Sequence, residues 1–125
     1  MKKACLDLRV SSIEKQNEKY FLLKLTHQLP LPQMVPGQFV EVRVDHSPTT
    51  FLRRPISINN YVAEANELWL LVARVGDGTR QLGTLSEGDV VNCLLPLGNG
   101  FTMPTRTDSR VLLVGGGVGV APLLY

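Results

Sequence analysis

Short runs with an apolar residue at every second position recur along this chain, and they leave it little choice of architecture. Leu6, Leu8 and Val10 alternate with Asp7, Arg9 and Ser11, and Phe21, Leu23 and Leu25 alternate with Lys24 and Thr26. Val40, Val42 and Val44 repeat the pattern against Glu41 and Arg43. A period of two matches the alternating faces of a half-buried strand. Residues 57–61, 68–75 and 90–95 read as three further strands, and the polar stretch 63–67 joins the first two of these. Leu29-Pro30-Leu31-Pro32 cannot continue a ladder, and Pro36-Gly37 and Gly88-Asp89 are turns. Residues 79–85 form the single helix candidate before the tail, with Thr79 as its cap and Leu82 and Leu85 on one face. Six short strands at near-regular spacing with one small helix predict an all-β fold, a closed six-stranded antiparallel barrel.

The pattern changes after Pro104. Residues 105–110 are polar and read as a linker, and then Val111-Leu112-Leu113-Val114 is apolar without alternation. Such a run suits a strand buried on both faces of a parallel sheet. Gly115-Gly116-Gly117-Val118-Gly119 follows at once, as at the opening of a nucleotide-binding α/β domain. The expected organisation is therefore a barrel domain over 1–104, with 105–125 as the linker, first strand and glycine loop of a truncated second domain. An isolated apolar strand needs partners for its backbone and side chains. Residues 111–125 are thus expected to pack on the barrel or, preferentially, to associate with a second copy of the chain.

Composition removes several classes of function. With 125 residues, 44% of them hydrophobic, the chain can bury a core without staples. A net charge of +2 and an aromatic content of 6% argue against nucleic-acid binding, including by a small OB-like barrel. The longest apolar run, 111–125, is shorter than a membrane span and is broken by glycines and Pro122. No apolar signal region follows Met1-Lys2-Lys3, and a cytoplasmic protein is expected. Cys5 and Cys93 have no metal-binding spacing, and both sit in apolar runs that predict buried, reduced thiols. Two thiolates fall short of the four that usually hold an iron–sulfur cluster.

Each of four motifs is weak alone. In Arg53-Arg54-Pro55-Ile56-Ser57, arginine offers a planar fork of donors that suits a phosphate, Pro55 fixes the backbone, and the serine hydroxyl can meet a ring nitrogen. The bland alternative is a polar strand entrance with solvated arginines. In Arg74-Val75-Gly76-Asp77-Gly78-Thr79-Arg80, two glycines allow close backbone approach and a helix start offers free N–H groups to an anion. The alternative there is a capped hairpin loop. Pro96-Leu97-Gly98-Asn99-Gly100-Phe101 has the residues of a tight structural turn, and the glycine-rich Val114-Gly115-Gly116-Gly117-Val118-Gly119-Val120-Ala121-Pro122, weak alone, gains weight from its position after a buried strand.

Taken together, in this order and spacing, the motifs resemble the ferredoxin reductase superfamily over essentially the whole chain. More narrowly, they resemble the electron-transfer subunits of type B dihydroorotate dehydrogenases. Ile56 stands where the wider superfamily has tyrosine, which removes an aromatic contact to the flavin. That narrower group itself carries Arg-Pro-Ile-Ser. The resemblance implies FAD binding by Arg54, Pro55, Ile56 and Ser57, with Arg54 toward the phosphates and Ser57 toward the ring. It implies that Val72, Ala73 and Arg74 lie along the cofactor and that Gly78 and Thr79 take the pyrophosphate. It assigns no catalytic residue and no metal ligand to this chain.

The whole protein of that group passes electrons between NAD and an FMN-containing catalytic subunit that oxidises dihydroorotate, in a heterotetramer serving pyrimidine biosynthesis. The path runs through FAD and a [2Fe-2S] cluster, whose cysteines lie in a region this chain lacks. The 125-residue piece alone is then expected to be inactive. A subunit of another NAD(P)H:ferredoxin-type oxidoreductase, or of a hydrogenase, and a barrel that binds no flavin remain open alternatives.

Overall fold

A computed structural model describes residues 2–125. Seven antiparallel strands form a single curled sheet: β1 (Ala4–Lys15), β2 (Tyr20–Thr26), β3 (Phe39–Val42), β4 (Arg54–Ser57), β5 (Asn60–Val62), β6 (Glu67–Ala73) and β7 (Val90–Leu97). Their order across the sheet is β4-β3-β7-β1-β2-β6-β5. The alternation read from the sequence is what the strands bury: Leu8, Val10, Phe21, Leu23, Leu25, Val40 and Val42 are wholly excluded from solvent. Each such side chain contributes ~1.5–3 kcal/mol of transfer free energy, so the inward rows of β1, β2, β3, β6 and β7 carry the stability of the domain. A short helix, α1 (Asp77–Leu82), drives Leu82 into this core, and Leu31 and Met34 join it from the loop before β3. Among the described residues no helix is long and apolar enough to cross a membrane.

The all-β antiparallel barrel is as expected, but the strand expected over 57–61 is two strands. β4 and β5 are consecutive in the chain yet lie at opposite edges of the sheet. Ile58 and Asn59 make the corner between them. The Ile58 N–H donates to the Gln38 carbonyl (3.0 Å) beside β3, and the Asn59 N–H donates to the Trp69 carbonyl (2.9 Å) in β6. Here the chain itself closes the barrel. Beyond that corner β6 pairs with β5 only over Glu67–Trp69, and no ladder joins its remaining residues to β4. The closure is therefore partial, and a seam stays open between β4 and the second half of β6.

Three further expectations are corrected. Thr79 is not the helix cap. It lies one turn inside α1, behind an extended Gly76, and its hydroxyl accepts from the Val75 and Gly76 N–H groups (2.9 and 3.1 Å). Cys5 is exposed, because β1 carries it on the same face as Asp7 and Arg9; Cys93 on β7 is buried, and burial pushes its thiol up to about 12. Residues 111–114 form no strand. Leu112 is 86% and Val114 80% exposed, and neither edge strand of the sheet, β4 or β5, pairs with this run. The tail docks only at its end, on its own barrel, where a 3-10 segment, Gly117–Leu123, rests against β6 and buries Ala121.

Candidate flavin groove

The open seam is a groove of about 310 Å³, lined by Arg54, Pro55, Ile56, Ser57, Leu71, Val72, Ala73, Val75, Thr79, Val118 and Ala121. The β4 motif, the end of β6 and the start of α1, far apart in sequence, meet here. Strand alternation decides what the seam's edges present. Ile58 donates toward β3, so the even-numbered residues of β4 face that neighbour, and the N–H and C=O of Ser57 face the seam. Pro55, which has no N–H, falls on this unpaired side, where a proline costs no ladder bond. On β6 the Arg74 N–H donates back to the Lys19 carbonyl beside β2 (2.7 Å), while the Trp69 carbonyl accepts from Asn59 on the other side. The backbone of Leu71 and Ala73 therefore also faces the seam. The Ala73 carbonyl accepts from the Val75 N–H (2.9 Å), so the backbone groups left spare along the apolar slot are those of Ser57 and Leu71 and the Ala73 N–H.

The adjacent arginines have opposite surroundings. Arg53 is consumed by the barrel: its guanidinium donates to the Glu41 and Asn92 carbonyls (3.3 Å each) and to the Asn92 side-chain oxygen (2.6 Å), bridging β3 and β7. The Arg54 side chain has no hydrogen bond or ion pair among the described residues, and it lies over the first turn of α1. A Cβ added to Gly78 would stand 2.7 Å from Arg54 Nε and 3.1 Å from a Thr50 methyl, so glycine is what lets Arg54 approach the helix start. The first N–H groups of α1 have no acceptor within the helix. Asp77, at the same turn, is held as a carboxylate below its ordinary range by hydrogen bonds from Arg80 (2.7 Å) and Thr49 (3.1 Å), with the Arg80 charge adding to the effect.

Of the residues expected at the site, Arg54, Pro55, Ile56, Ser57, Val72, Ala73 and Thr79 line the groove, and Gly78 lies directly beneath Arg54. Arg74 is the exception. Its guanidinium stacks on the Phe21 ring (4.7 Å) and reaches the Asn17 and Glu18 carbonyls (3.4 Å each), away from the seam. The hydroxyl of Thr79 is spent on the 75–76 backbone, which leaves only its N–H for a ligand. Sequence reading missed Thr50, Asn59, Leu71, Val75, Val118 and Ala121. Val75 lies inside the second motif with Leu71 nearby, and Val118 and Ala121 belong to the glycine-rich motif, though neither motif shows that these residues reach the groove; Thr50 and Asn59 give no local signal.

The chain is 44% identical over 117 residues to the dihydroorotate dehydrogenase B (NAD(+)) electron transfer subunit of Lysinibacillus sphaericus, a match covering 93% of this chain and 45% of that protein. It is 46% identical over 89 residues to the subunit of the same name from Bacillus cereus, covering 70% of this chain and 34% of that one. Over the part it spans, the chain is homologous to these electron transfer subunits. It spans about half the length, or less, of the curated relatives it matches. Among solved structures, phthalate dioxygenase reductase, described as a modular structure for electron transfer from pyridine nucleotides to [2Fe-2S], matches with a TM-score of 0.80 at 31% identity, over 97% of this chain and 38% of that one. No protein-family model matches the chain. Within the barrel, the Pro96–Phe101 motif is structural: Gly98 packs under Phe39, Gly100 faces Val35, and the Phe101 N–H donates to the Pro36 carbonyl (2.9 Å).

Proposed function

We propose that the seam groove binds FAD and that this chain is the FAD-holding part of an electron-transfer subunit. The observation that carries this reading is an unpaired guanidinium, Arg54, standing over a helix start at one end of an apolar slot bordered by free strand edges. A flat, polycyclic ring with polar edges suits such a slot, and a pyrophosphate suits a free arginine beside unpaired N–H groups. Arg54 and the N–H groups of Gly78 and Thr79 would bind the pyrophosphate. Pro55, Ile56, Val72 and Ala73 would pack along the ring, and the Ser57 hydroxyl and N–H would meet its polar edge. Ile56 gives this wall an aliphatic surface, without the stacking an aromatic residue would provide. Bound FAD supplies the redox chemistry, exchanging electrons in pairs or singly, while the protein sets its position and surroundings.

Residues 1–104 then form the FAD-binding domain, and 105–125 lead toward an NAD-binding domain. The whole protein would pass electrons between NAD and an FMN-containing dihydroorotate dehydrogenase catalytic subunit, in a cytoplasmic heterotetramer. Identity of 44% to the electron transfer subunits, against 31% to phthalate dioxygenase reductase, favours this over another ferredoxin-reductase-type role. The [2Fe-2S] cluster of such a protein is not held by this chain, whose only thiols, an exposed Cys5 and a buried Cys93, make no ligand set. Equilibrium titration of FAD and FMN tests the reading. FAD should bind the tighter, because only FAD carries the pyrophosphate that Arg54 and α1 would hold. Equal or tighter binding of FMN would count against it.

A further inference from the structure

The groove has one wall that the barrel does not supply. Val118 and Ala121, from the glycine-rich tail, line it beside Ser57, Val72 and Ala73. This stretch has little of its own to hold it there. Every residue from 98 to 120 is exposed, and Gly115, Gly116, Gly117 and Gly119 bring no side chains to pack. Ala121 is the exception at 3% exposure. Its carbonyl accepts a hydrogen bond from the side-chain amide of Asn59 (2.8 Å), which is itself 7% exposed. Asn59 occupies the corner where the chain crosses from β4 to β5, and its own N–H is fixed to Trp69 of β6. A second tie lies farther along, where the Tyr125 hydroxyl donates to the Met34 carbonyl (2.7 Å).

We infer that Asn59 is a positioning residue that latches the Gly117–Leu123 turn across the open seam, making that turn the wall that shields the ring end of the flavin groove. This deepens the FAD reading and rests on it. The chemistry of the corner requires an amide. A carbonyl needs a donor, which Asn provides; Asp at this position would set a carboxylate against the Ala121 carbonyl, and an apolar residue would leave that carbonyl buried without a partner. The latch acts on the wall and not on the ring, so its loss exposes the flavin without removing the Arg54 end of the site.

The test uses Asn59→Asp in the 125-residue chain, with three readings: hydrogen exchange at the amides of Ala121, Leu123, Leu124 and Tyr125 without cofactor, FAD affinity, and quenching of bound-flavin fluorescence by iodide. The latch predicts faster exchange over 121–125, FAD binding weaker by about threefold to tenfold, the equivalent of one lost buried hydrogen bond, and a larger iodide quenching constant. A residue that merely stabilised the barrel would lower the melting temperature and leave the quenching constant of the bound flavin unchanged. Unchanged exchange and unchanged quenching overturn the latch. If the wild-type chain binds no FAD, the FAD reading fails, while exchange over 121–125 still decides whether Asn59 holds the turn. Should Asn59→Asp not fold, Tyr125→Phe, which removes only the second tie, decides: faster exchange at 121–125 with greater quenching supports the latch, and no change in either overturns it.

Discussion

Two glycine-containing motifs of this barrel look alike in sequence and differ completely in what they leave unsatisfied. At the rim, Pro96–Phe101 closes on itself. Gly98 sits at φ +78° under the Phe39 ring, Gly100 abuts Val35, and the Gln38 side-chain amide donates to the Gly98 carbonyl (3.1 Å). At the seam, Gly78 makes room for a guanidinium that bonds to nothing among the described residues, and the backbones of Ser57 and Leu71 face a slot without a ladder partner. Glycine that fits protein against protein is structural. Glycine that brings an unpaired charge to an apolar gap marks a place for a ligand.

That contrast can be broken by substitution, and the largest effect belongs to the rim. A Cβ at Gly100 would stand 2.6 Å from a Val35 methyl and 3.1 Å from the Pro36 carbonyl oxygen. Gly100→Ala should destabilise the barrel by ~1–3 kcal/mol, the usual cost of overpacking, while FAD affinity of the folded protein stays unchanged. Denaturant unfolding beside a flavin titration measures both. The opposite outcome, retained stability with lost FAD, would move the rim motif into the binding site. A smaller, inverse effect belongs to the seam. Gly78→Ala should displace Arg54 and forfeit part of the ~1.5–3 kcal/mol that a charge-assisted phosphate contact is worth, with little change in melting temperature. If Gly78→Ala binds FAD as wild type does, Arg54 is not held against α1 for the phosphates.

Much of the barrel was legible because period-two alternation reports directly which face a strand buries. Legibility failed where several signals competed. Cys5 follows the outward row of β1 with Asp7 and Arg9, and the register, not the general preference of cysteine for interiors, decided its exposure. The corner at Ile58–Asn59 was hidden because β4 and β5 both keep strand conformation, and only the sheet order places them at opposite edges. Thr79 reads as a cap since threonine favours that position, yet extended Gly76 takes it and Thr79 serves the backbone from inside the helix. Residues 111–114 have the composition of a buried strand and lack neighbours to pair with.

The site was legible in part for the same reasons. Arg54, Pro55, Ile56 and Ser57 form one continuous motif, and Val72, Ala73, Gly78 and Thr79 belong to another. For Arg74, sequence adjacency to Ala73 does not reveal that its side chain turns toward Phe21. Asn59 gave no signal, and Val118 and Ala121 were read only as part of a glycine-rich motif, without their place at the groove. Their roles arise from a contact between a barrel corner and a tail segment that are far apart in the chain.

The most direct test of the central claim sets Arg54 against Arg53 in one experiment. FAD is titrated into wild-type, Arg54→Ala and Arg53→Ala chains, each checked for folding by its melting temperature. The Arg54 guanidinium has no partner among the described residues, so its removal should weaken FAD by at least about tenfold and leave stability nearly intact. Arg53 is spent on Glu41 and Asn92, so its removal should lower the melting temperature and change FAD affinity little. A larger loss of FAD affinity from Arg53→Ala than from Arg54→Ala would contradict the account.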